Sequence, residues 1–202
     1  GSITFTIAET IDLLGAGTDL VLTAGSSITV TAIGIINVGG AFTINSGGTS
    51  TIGGVTLNVT GQTTISGTLD ITSVSGIKTF NGDVIIDGTF QNNINENVSF
   101  GGSVTNNGTL TAGTGTYTFT GAGKSFDGTS GSMTFSAVAI NGTYTNNLSS
   151  LLINGNLTGT GGLTQASNAG LGIAGTSTIT TLTTTASGNT IIYGSTTANQ
   201  AV

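Results

Sequence analysis

Apolar and polar residues alternate along this chain in short, closely spaced runs. ITFTI (3–7), LVL (20–22), ITV (28–30), FTI (42–44), VTLNV (55–59), TLDI (68–71), TYTFT (116–120) and TIIY (190–193) carry the period-two pattern of a half-buried strand. Each run spans only three to five residues. Gly-Gly, Asn-Gly, Asp-Gly and Ser-Gly pairs stand between them and supply tight corners. AETIDLL (8–14) is the one helical alternative, and TIDLL reads better as one arm of a hairpin with DLVLT across the GAGT turn.

The strand pattern repeats in TFNGDVIIDGTFQNN (79–93) and SFGGSVTNNGTL (99–110). Phe80 and Phe100, Val84 and Val104, Gly88 and Gly108, and Phe90 and Leu110 are all twenty residues apart. A third copy, TFSAVAINGTY, sets Phe135, Val138, Gly142 and Tyr144 in the same parts with one residue lost. A fixed period of this length belongs to stacked units, none of which buries its apolar face alone. The chain is therefore expected to be all-β, a right-handed parallel β-helix-like β-solenoid with short strands and Gly-rich corners. A β-sandwich or jelly roll is the alternative, since turn signals every 8–12 residues suit it as well. The expected organisation is a single elongated domain over 1–202. Residues 1–40 read as a distinct N-terminal cap or assembly-strand region and 41–202 as the repeat-like solenoid.

Composition narrows the function. Only 5% of the residues are charged, there are 35 glycines, and proline, cysteine, histidine and tryptophan are absent. Disorder does not follow, because 36% of the residues are hydrophobic and regularly placed. The two cations are Lys78 and Lys124, and the net charge is −6, which opposes nucleic acid and anionic membrane surfaces. No apolar run reaches the length of a membrane-spanning helix, so membrane insertion is not expected. The scarcity of Lys and Arg leaves trypsin-like proteases little to cut, which favours an extracellular or cell-surface location. No signal peptide is visible at GSITFTIAET.

The segments 99–147 and LLINGNLTGTGGLTQ (151–165) resemble the β-strand repeats of long bacterial surface proteins, including autotransporter-associated repeats and filamentous adhesin solenoids. The resemblance is compositional and covers the C-terminal two thirds. It implies an extracellular structural or adhesive role and transfers no catalytic residue.

Constellations for chemistry are sparse. General acid–base work lacks histidine and cysteine, and Asp83 and Asp87 in DVIID flank a short strand about 13 Å apart at ~3.3 Å per residue, beyond a glycosidase pair. GAGKS (121–125) has the tail of a phosphate loop without its upstream spacing. No catalytic residue, cofactor or metal is expected, and the chain is not read as an enzyme. A lysine–asparagine isopeptide has Lys78 and Lys124 as its candidates, with Glu96 as helper. Six Asn-X-Ser/Thr sequons, at Asn58, Asn97, Asn107, Asn141, Asn147 and Asn156, match the number that chance supplies in so Ser/Thr-rich a chain. Thr-X-Thr triplets, such as Thr109–Thr111 and Thr143–Thr145, do not recur at the repeat period and read as ordinary strand residues. Tyr117, Tyr144 and Tyr193 are the only tyrosines that could stack on a sugar.

Self-association remains. Neither terminus shows a capping helix or gatekeeper charges, and Ile3, Phe5 and Ile7 form one apolar face of an edge-competent strand. The expectation is a secreted structural protein, subunit of an extracellular fibre or segment of a surface adhesin, whose partner is itself through end-to-end stacking or strand addition. A glycan- or ice-binding solenoid module, with a surface glycan as partner, is the alternative.

Overall fold

The computed structural model of the chain describes residues 3–5, 10–13, 18–22, 27–30, 34–47 and 49–194; for residues 3–5, 10–13, 22 and 27–30 it describes the backbone alone. The described strands, of two to four residues each, pair in parallel only, and their neighbours in space are one coil apart in sequence. The fold is an all-β parallel β-solenoid of about eight turns with no helix among the described residues.

Each coil contributes one strand to each of three faces. The first face stacks Ile3–Phe5, Ser27–Val30, Thr49–Ile52, Thr68–Ile71, Thr89–Asn92 and Thr109–Ala112. A separate four-stranded sheet continues this position in the later coils: Ser132–Phe135, Ser150–Ile153, Gly170–Ile173 and Thr190–Tyr193. The second face runs from Thr10–Leu13 through Lys78–Phe80 and Val98–Phe100 to Leu157–Thr158. The third runs from Leu20–Leu22 through Val84–Ile86 and Val104–Asn106 to Thr181–Thr183.

Alternation decides what lies inside. In a three-residue strand such as Lys78–Phe80 the two ends point inward and the middle outward, so each strand delivers one or two side chains to the core. Parallel register then stacks like position on like. Val38, Val59, Phe80, Phe100, Phe119 and Ile140 form one buried column on the second face. Phe80 lies over Phe100 with ring centroids 5.6 Å apart, and Phe100 over Phe119 at 5.5 Å, with interplanar angles of 20° and 18°. These offset stacks contribute about 0.5–1.5 kcal/mol each beyond simple burial.

The corner between the second and third faces is made of glycine for a reason other than backbone freedom. A β-carbon on Gly61, Gly82, Gly102, Gly121, Gly142 or Gly161 would come under 3.0 Å from the carbonyl oxygen of a glycine one coil earlier. None of these six has a positive φ. Close approach of stacked backbones excludes the side chain.

Two expectations need correction. TIDLL and DLVLT do not form a hairpin: Thr10–Leu13 pairs in parallel with Ile35–Val38, and Leu20–Leu22 with Phe42–Ile44, because each finds its partner one coil on. The third copy of the repeat is out of phase by one face. Phe135 lies in the first-face position, Val138 on the second and Tyr144 on the third, whereas Phe80, Val84 and Phe90 occupy second, third and first. The motif matched because the inward alternation is the same on every face. The described strands within residues 1–40 pair into the same three sheets as later strands.

Candidate functional site

The core is apolar except where a handful of polar side chains take inward positions. The most unusual is Lys78. It opens its strand two residues before Phe80, so alternation points it inward, between Leu57 below and Val98 above. Its side chain is 0% exposed. Nζ donates to the carbonyls of Ser75 and Gly76, each at 3.0 Å, and stands 3.7 Å from Glu96 Oε1. Glu96 is itself buried in the corner segment of the next coil. Burial holds the Lys78 ammonium below its usual pKa against the pull of Glu96, and raises the Glu96 carboxyl above its usual range against the pull of Lys78.

Asn92 lies at the same corner, in line with Ile71 of the coil before. Its Nδ2 donates to the Glu96 carbonyl at 3.0 Å and to the Tyr117 hydroxyl oxygen at 2.7 Å. Its Oδ1 is buried and has no hydrogen-bond partner. Tyr117 is fully buried, and desolvation raises its pKa. Four functional groups from three successive coils therefore share a buried corner.

A second polar set lines the third face. Asn106 Nδ2 donates to Ser132 O at 3.1 Å, and Asn146 Nδ2 donates to Gln165 Oε1 at 2.8 Å and Gly170 O at 3.0 Å. Outside, Asp83 accepts from the Ser103 N–H at 2.8 Å and pairs with Lys124 at 3.1 Å. The Ser103 N–H and then Lys124 hold the Asp83 carboxyl below its usual range. Asp87 sits beyond the far end of strand Val84–Ile86 and accepts from Asn107 Nδ2 at 2.9 Å. The fold uses both carboxylates to bind the next coil. GAGKS leads into a strand, Lys124–Asp127, not a helix.

Asparagines at the corners have the same work. Asn97, Asn107, Asn141 and Asn156 accept from the backbone N–H of Thr116, Thr129, Thr160 and Thr176, at 2.7, 3.0, 3.3 and 3.0 Å. Each side chain supplies the next coil with an acceptor where the ladder turns a corner.

Threonines stack into a ladder, as ordinary exposed strand residues do. Thr49, Thr68, Thr89 and Thr109 are in direct register along the first face. Beside them run Thr29, Thr51, Asp70, Gln91 and Thr111. The column has no fixed period because coil length varies, and of the four only Thr49 and Thr109 belong to Thr-X-Thr triplets.

The expected repeat core is placed as follows. Phe80, Val84, Phe90, Phe100, Val104, Phe135, Val138 and Tyr144 are buried, and Leu110 is half-buried against them. Tyr117 and Tyr144 lie inside, which removes two of the three rings offered for sugar stacking. Ile3 and Phe5 belong to the first strand of the first face, and Ile7 lies outside the described residues. At the other end, Ile179, Leu182, Ile191 and Tyr193 line a cavity of about 490 Å³ beside the last described strands of two faces.

Fold and sites define a β-solenoid whose interior polar groups serve its own stacking. No protein-family model, curated protein or solved structure matches the chain.

Proposed function

We propose that this chain is a structural β-solenoid of the cell surface or extracellular space, a fibre subunit or a segment of a long adhesin, acting mechanically and not as an enzyme. The observation that carries the reading is the parallel stacking of successive coils, continuous through the described strands of the second and third faces. Each coil offers the next a full set of unpaired strand edges, a glycine corner shaped to the backbone above, and side-chain acceptors aimed at its N–H groups. Such a template accepts another coil of like geometry, from the same chain or a second copy. The apolar side chains about the cavity at Ile179, Leu182, Ile191 and Tyr193 give a second copy something to cover. The mode is end-to-end stacking or strand addition, with the chain itself as partner. Negative-stain imaging and sedimentation over a concentration series test it. Growth into rods of constant width is expected, and a monomer at all concentrations refutes self-association.

A second reading rests on the threonine column at Thr49, Thr68, Thr89 and Thr109. Hydroxyl and methyl groups spaced ~4.8 Å apart on a flat sheet could order water or lie on a regular glycan. Asp70 and Gln91 interrupt the neighbouring column, which makes this the weaker fit. Thermal hysteresis, or pull-down on insoluble polysaccharide, decides it.

A further inference from the structure

The corner that buries Lys78 has the parts of an amide-forming site as well as those of an ion pair. The amine is wholly out of solvent, and its carboxylate partner stands at 3.7 Å, beyond hydrogen-bond length but near enough to exchange a proton through a small motion. The third member is a carboxamide. Asn92 is fully buried, its Nδ2 is tied to the backbone carbonyl of Glu96 and to Tyr117, and its Oδ1 has no partner. Buried polar atoms are usually hydrogen-bonded, and Asn92 Oδ1 is one of five buried side-chain polar atoms among the described residues that have no partner. An ion pair accounts for Lys78 and Glu96 but leaves the Asn92 Oδ1 unpaired.

We propose that Lys78 becomes joined to Asn92 by a side-chain amide, with Glu96 carrying the proton. Neutral Nζ of Lys78 attacks Cγ of Asn92; the Nζ–Cγ bond forms and the Cγ–Nδ2 bond breaks. The Glu96 carboxyl group takes a proton from Nζ and delivers one to Nδ2, which leaves as ammonia. Amine and carboxamide give secondary amide and ammonia, and nothing is oxidised or reduced. Burial favours the reactive forms, a neutral lysine and a protonated glutamic acid, and Tyr117 fixes the amide nitrogen that departs. The product links two successive coils covalently at a corner that the Lys78–Glu96 ion pair already bridges.

The intact mass of the folded full-length chain tests this directly. The expected result is a mass lighter than the sequence by one ammonia, together with a chymotryptic branched peptide that joins the Lys78 and Asn92 segments. Glu96→Gln is expected to fold, by far-ultraviolet circular dichroism, and to keep the full sequence mass. Asn92→Asp is expected to lose one water in place of ammonia. A folded wild-type chain at full mass after prolonged incubation overturns the proposal. So does an ammonia loss that maps to an Asn-Gly succinimide such as Asn81–Gly82, a water loss that maps to a Lys78–Glu96 link, or persistence of the amide in Glu96→Gln.

Discussion

Replacing Gly82 by alanine tests whether glycine at the corners serves backbone approach or backbone freedom. The added methyl would lie under 3.0 Å from the Gly61 carbonyl oxygen, where an unstrained contact needs about 3.5 Å or more. Coils cannot separate freely, because ladders on three faces hold them ~4.8 Å apart. Nearby bonds set the local cost of separation: Asn81 N–H to Val59 O at 2.8 Å, Gly61 N–H to Gly40 O at 3.0 Å and Thr63 N–H to Asp83 O at 2.8 Å. Overpacking costs about 1–3 kcal/mol, and a weakened ladder bond about 1 kcal/mol more. The sum is a loss of roughly 2–4 kcal/mol.

Gly123 is the control. It has φ +65° and open space around its α-carbon, so alanine there costs only the left-handed conformation, about 1–2 kcal/mol, and asparagine less. Urea denaturation of both variants, followed by circular dichroism with midpoint and slope recorded, separates the two causes. Gly82→Asn is expected to be at least as damaging as Gly82→Ala, while Gly123→Asn is tolerated. A Gly82→Ala loss below about 1 kcal/mol, or one that asparagine relieves, refutes the close-approach argument.

Phe100→Ala removes the ring that stacks on Phe80 and Phe119 and should cost about 3–5 kcal/mol by urea denaturation. Asn156→Ala deprives the Thr176 N–H of its acceptor and should cost about 1 kcal/mol by the same assay. Where Lys78 and Asn92 remain unlinked, Glu96→Leu strands a buried lysine and should cost about 3–5 kcal/mol, whereas Lys78→Met with Glu96→Leu is nearly neutral. Asp83 titrates below its ordinary value in the folded chain, so the stability it contributes is full above the unfolded carboxylate pKa of about 3.9 and disappears as pH falls through the lower folded value. Asp83→Asn should therefore flatten the acid limb of the stability profile without changing the limb above neutrality.

The solenoid was legible where coil length stayed constant. Phe80 over Phe100 and Val84 over Val104 could be read from a twenty-residue offset because no corner between them gains or loses a residue. Elsewhere the corners absorb insertions. Ile3 pairs with Ile28 across a long coil, and Ser132 with Ser150 across a short one, so a fixed period cannot register them. The hairpin reading of TIDLL failed for a related reason: a glycine turn shows that the chain changes direction, not whether it reverses or coils onward. Only a longer-range match distinguishes the two, and the first coils lack one.

The corner at Lys78 shows what alternation alone can and cannot find. In Lys78-Thr79-Phe80 the parity that buries Phe80 also buries Lys78, so the inward lysine was available from three residues. Glu96 was visible only as a count of carboxylates, because it lies in an irregular corner where no parity applies. Asn92 has inward parity in Thr89–Asn92, but asparagine is so common at this chain's corners that nothing marked it. Buried polar groups are costly unless paired, and pairing is a property of coil stacking, not of any one strand. A solenoid's active or reactive chemistry is thus written across coils, at right angles to the direction in which its sequence is read. Varying the number of residues between Asn92 and Val98 would move Glu96 off Lys78 while leaving every strand pattern intact.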